Sequence, residues 1–81
     1  MKELHLDIVS PDKVIFNGEV GSVTLPGTLG SFTILPQHAP IVSSLQAGKL
    51  AYVTKDGEEH VQDIHGGFAE MNGNKVSVCV D

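Results

Sequence analysis

At 81 residues the chain has room for one small domain, residues 1–81. Ten acidic against five basic residues leave a formal net charge of −5. This excludes nucleic acid as a partner, because phosphate binding needs clustered Lys and Arg, and it argues against docking on anionic lipid. The hydrophobic fraction of 41% is enough for a core, but tryptophan is absent and the aromatics are only Phe16, Phe32, Tyr52 and Phe68. That core must therefore be built from Val, Ile and Leu. Cys79 is the lone cysteine, so no internal disulfide is available and a reducing compartment fits. Charge in Met1-Lys2-Glu3-Leu4-His5 occupies the place where a signal peptide needs an apolar run. No apolar run approaches the roughly 20 residues that span a bilayer, so no direct membrane insertion is expected.

Taken in order, Leu4 to Val9 alternates, with Leu4, Leu6 and Ile8 on one face and His5, Asp7 and Val9 on the other. Ser10-Pro11-Asp12 turns the chain. Lys13 to Phe16 reads as a second short strand, closed by the hairpin signal Asn17-Gly18. Val20 to Leu25 follows, with Gly21 marking a bulge. Pro26-Gly27 then opens a turn, and Ser31-Phe32-Thr33-Ile34 alternates with Phe32 and Ile34 inward. Pro36 stops that strand because it has no N–H for a ladder, and Pro40 restricts Ala39. The segment Pro36 to Pro40 is thus a stiff loop with Gln37 and His38 at its tip. Such a shape costs little entropy to present to a partner.

Beyond the loop, Ile41 to Leu45, Lys49 to Thr54, Glu59 to Ile64, Phe68 to Met71 and Lys75 to Val80 read as strands. Turn signals at Ala47-Gly48, Lys55-Asp56-Gly57-Glu58, Gly66-Gly67 and Asn72-Gly73-Asn74 separate them. Val76, Val78 and Val80 face inward. No helical periodicity interrupts the series. The expectation is an all-β domain: a flattened antiparallel β-sandwich or barrel of about nine to ten short strands.

Chemistry-bearing residues are sparse. His60 and His65 flank Asp63, but an odd spacing places them on opposite faces of an unbroken strand, which argues against a shared metal. Cys79 lacks a flanking activation motif. Gly27-Thr28-Leu29-Gly30 lacks the Gly-Lys-Ser/Thr ending of a phosphate loop. No catalytic residue, cofactor site or metal site is assigned.

Two stretches carry a resemblance. One is Gly27 to Ile41, ending Leu35-Pro36-Gln37-His38-Ala39-Pro40-Ile41; the other is His65-Gly66-Gly67-Phe68-Ala69-Glu70-Met71. With Leu4 to Pro11 and Phe16-Asn17-Gly18, they resemble the epsilon subunit of the F-type ATP synthase from end to end. The resemblance implies a ten-stranded flattened sandwich and a non-catalytic rotor element that contacts the gamma subunit and the membrane c-ring. It also implies a location at the cytoplasmic face of the bacterial inner membrane, peripheral and held through the complex. Most members continue into a helical hairpin that inhibits hydrolysis; this chain stops at Asp81, so that role is not carried over. Ser31 stands where many relatives carry an acidic residue, Thr33 where they usually carry Gly, and Gln37 where Gly is more common. Ser31, Gln37, His38, Ala39 and Pro40 are the interface residues this reading selects. A free-standing sandwich that binds another protein through the same loop is the alternative, and a small-ligand protein is a third reading.

Overall fold

A computed structural model describes residues 3–37 and 39–81. It contains eight strands: β1 (Leu4–Val9), β2 (Val14–Gly27), β3 (Gly30–Ile34), β4 (Ile41–Leu45), β5 (Gly48–Thr54), β6 (Glu59–Ile64), β7 (Gly67–Asn72) and β8 (Lys75–Val80). The all-β sandwich expected from strand alternation is present, with eight strands instead of nine or ten. The count falls because β2 is continuous. Asn17-Gly18 makes no hairpin. Asn17 sits opposite Asp7 of β1 and donates a side-chain hydrogen bond to its carboxylate. Gly18 sits opposite Leu6, and the Phe16 ring lies across it, 3.0 Å from where a Cβ would stand. The turn between β1 and β2 lies at Ser10–Lys13, closed by a 2.9 Å bond from the Ser10 N–H to the Lys13 carbonyl.

The long β2 joins two layers. Its first half pairs antiparallel with β1, and its second half pairs with β5 and β3. The register shifts between Val20 and Ser22, so Gly21 is the bulge at which the strand passes from one layer to the other. From β1 the first layer continues through β8 and β7 to β4. The second places β2 between β3 and β5, with β6 outermost. A single bridge, Gly27 to Leu45, links β2 back to β4. One pairing departs from the antiparallel expectation: β1 and β8 run parallel. They are the first and last strands, and the intervening chain supplies the long crossover that a parallel pair requires.

The core is aliphatic, as the composition demands. Leu4, Leu6, Ile8, Val20, Val23, Leu25, Ile34 and Leu50 are fully buried, and Val76 and Val78 close the cluster from β8. Ile15, Phe16, Phe32 and Ile41 pack against it half-buried. Phe32 therefore contributes as a lid on the core and Ile34 as a member of it. Gly67, at φ 141°, is where the chain enters β7. A Cβ there would stand 2.0 Å from the Cys79 carbonyl oxygen, so the strand can approach β8 only without a side chain.

Candidate functional site: the ends of the third strand

The residues selected from sequence lie on and beyond β3. Ser31 is exposed near its start, opposite Pro26 of β2. Its outward neighbour Thr33 shares a 2.9 Å hydroxyl contact with Thr24. Ile34 ends the strand, buried, and the chain then enters the proline-bounded loop. There Gln37, Ala39 and Pro40 are exposed. His38 lies outside the described residues. The structure thus groups Gln37, Ala39 and Pro40, whereas Ser31 is at the other end of β3. At about 3.3 Å per residue, the strand separates them by on the order of 15 Å.

The two ends are built differently. At the Ser31 end, β2 and β3 form a hairpin whose last pair is Gly27 and Gly30, with Thr28 and Leu29 at the tip. The hairpin is sewn to the first layer at its tip and just below it: the Thr28 N–H donates to the Ser44 carbonyl at 3.1 Å, and the Gln46 N–H to the Pro26 carbonyl at 2.9 Å. Leu29 is 104% exposed on this anchored tip. Sequence reasoning missed it. The signal was present, because Asn, Asp or Gly normally occupies such a turn and a leucine there gains nothing from folding. At the loop end, the Gln37 N–H donates to the Asn74 side chain at 3.1 Å.

Electrostatics add a polar strip on the outer face of β2, β1 and β8. His5 Nδ1 lies 2.7 Å from Glu19 and His5 Nε2 lies 3.5 Å from Asp7, which is itself 3.7 Å from Lys75. Lys49 holds Asp63 at 2.8 Å on the other layer, and this bond keeps the Asp63 carboxyl below its ordinary value. Burial pushes the Tyr52 phenol up. Its ring lies 4.4 Å from that of Phe16 and stacks 5.3 Å from that of His60. His60 faces Tyr52 across the β5–β6 pair, while His65 lies beyond the end of β6. A depression of about 360 Å³ lies where the end of β1 meets β7 and β8, with Val9, Pro11, Phe68, Cys79 and Val80 supplying apolar walls and Ser10 and Asp81 polar ones. Among the described residues no helix is long and apolar enough to cross a membrane.

The same sandwich recurs in known proteins. Residues 3–81 match the family model of the ATP synthase delta/epsilon chain, β-sandwich domain. The chain belongs to the ATP synthase delta/epsilon family. It is 44% identical over 80 residues to the ATP synthase epsilon chain of Nitratidesulfovibrio vulgaris strain DP4. It is 45% identical over 80 residues to that of Chlorobaculum tepidum. The alignment covers 99% of this chain in both cases, but 59% of the former relative and 91% of the latter. Among solved structures, a chain of the Euglena gracilis mitochondrial ATP synthase OSCP/F1/c-ring assembly superposes with a TM-score of 0.91 at 25% identity. That match covers 96% of this chain and 50% of the Euglena one. A chain of the Tetrahymena thermophila mitochondrial ATP synthase central stalk and c-ring shares the fold, with a TM-score of 0.81 at 16% identity over 98% of this chain and 63% of that one. The chain thus carries the delta/epsilon β-sandwich domain and spans about three fifths of the length of the first of these relatives.

Proposed function

We propose that the chain is a non-catalytic central-stalk subunit of the F-type proton-translocating ATP synthase, coupling c-ring rotation to ATP synthesis through contacts with the gamma subunit and the c-ring. The observation that carries this reading is the match of nearly the whole chain to ATP synthase epsilon chains, in sequence and in fold. The geometry suits the role. A coupling element must transmit torque without deforming, and a close-packed aliphatic sandwich does so. An element between two partners needs two separated contact regions, and Ser31 and the Pro36 to Pro40 loop lie at opposite ends of β3. The acidic balance of the chain complements basic surfaces on either partner. In this reading the subunit is peripheral, held through the complex at the cytoplasmic face of a bacterial inner membrane.

The test is depletion and readdition. Membranes stripped of this subunit should lose proton-driven ATP synthesis, or release the catalytic head, and readdition of the chain should restore coupling. Full synthesis by depleted membranes would refute the proposal. Co-purification of the native chain with a different protein, and none of the synthase, would instead identify it as a free-standing interaction module.

A further inference from the structure

The Pro36 to Pro40 loop holds one residue in a backbone conformation that its side chain disfavours. Gln37 has φ 67°, the one positive value at a non-glycine position among the described residues. This left-handed region crowds the Cβ of an L-residue, and such a conformation persists only where the surroundings impose it. The imposing group is distant in sequence. The Gln37 N–H donates to the Asn74 side-chain oxygen at 3.1 Å, across 37 positions of chain.

Asn74 is well placed to do this. It occupies the two-residue turn Gly73-Asn74, held between the paired Asn72 and Lys75 at the ends of β7 and β8. Gly73 takes the positive φ of that turn, 66°, which leaves Asn74 free of strain. The Asn74 carbonyl accepts a 2.8 Å bond from the His5 N–H of β1. Its main chain is therefore fixed by a hairpin on one side and by β1 on the other. Its side chain, half-buried, reaches the loop from a rigid base.

We propose that Asn74 is the positioning residue of Gln37: by capturing the Gln37 N–H it locks the left-handed turn that opens the proline-bounded loop and presents Gln37 preformed to the stalk partner. The inference rests on the reading of that loop as an interface. Preorganisation removes the ordering cost that a mobile loop would incur on binding. The β7–β8 turn thereby becomes part of the recognition element without touching the partner.

Asn74→Ala and Asn74→Asp test this in the complete chain, with three measurements: exchange of the Gln37 amide proton, the melting temperature, and competition with the native chain for ATP synthase stripped of this subunit. Asn74→Ala should speed Gln37 exchange and weaken binding, each about tenfold, as loss of one hydrogen bond does. The melting temperature should fall by no more than about 10 °C, the most that loss of one such bond gives in a domain of this size. Asn74→Asp keeps an acceptor oxygen at the same reach and should restore both exchange and binding. Unchanged Gln37 exchange in Asn74→Ala would overturn the clamp, whatever the binding. Fast exchange with full affinity would leave the clamp standing and overturn the loop as an interface. A melting temperature that falls far in both variants would reduce Asn74 to a brace of the hairpin.

Discussion

β6 and β8 are each six residues long, yet they meet opposite fates. β8 lies between β1 and β7, and its Val76 and Val78 are fully buried. β6 pairs with β5 alone, and five of its six residues are exposed. Its inward positions His60 and Gln62 face Tyr52 and Leu50 across the pair, but only Ile64 is covered. The difference teaches that alternation sets which way a side chain points, whereas burial depends on a second layer lying opposite. Where that layer runs out, the edge is finished with charge. Glu59 and Asp63 on β6 oppose edge-to-edge pairing with another chain.

The comparison breaks hardest on the β8 side. Gly67→Ala forces a Cβ into the Cys79 carbonyl, and the backbone conformation there is strained for alanine besides. Overpacking and strain together should cost about 3–5 kcal/mol, a large share of the stability of a domain this small. Chemical denaturation would show it as a lowered midpoint, and a midpoint within error of native would mean that β7 can move away from β8 freely.

A matched pair of valines sharpens the contrast. Val78→Ala removes two fully buried methyl groups and should cost about 2–3 kcal/mol. Val61→Ala, at a position 54% exposed on β6, should stay within about 0.5 kcal/mol. Comparable losses from both would show β6 covered in solution, for instance by self-association through its free edge.

The smallest effect concerns pH. Lys49 depresses the folded-state value of Asp63, so the pair stabilises the protein above the ordinary carboxylate range. That contribution should fade as pH falls from about 4 through the depressed value. Because the pair is solvent-exposed, Asp63→Asn should change the acid side of the stability profile only slightly, less than Val61 and Val78 differ. A large loss at neutral pH would mean that the Lys49–Asp63 bond holds β6 in place.

Period-two alternation alone determined a good deal. It identified the buried faces of β1 and β8, because a strand's inward positions depend only on neighbours two residues away. The bulge at Gly21 and the proline limits of the loop were equally local, and the motif around Pro36-Gln37-His38-Ala39-Pro40 carried the family. What the sequence could not decide was pairing, which is set by contacts across long stretches of chain. Asn17-Gly18 carried a hairpin's local preference, yet Asp7 across the ladder and the Phe16 ring over Gly18 kept β2 running through it. The parallel union of β1 with β8 joins the two ends of the chain, so no local pattern announces it. The same holds at the candidate site. Gln37 was visible as a loop residue, but its left-handed backbone and its tie to Asn74 exist only once β7 and β8 bring that turn alongside. Ser31 and the loop looked adjacent in sequence, and an extended strand placed them at opposite ends because each residue of β3 adds a fixed rise.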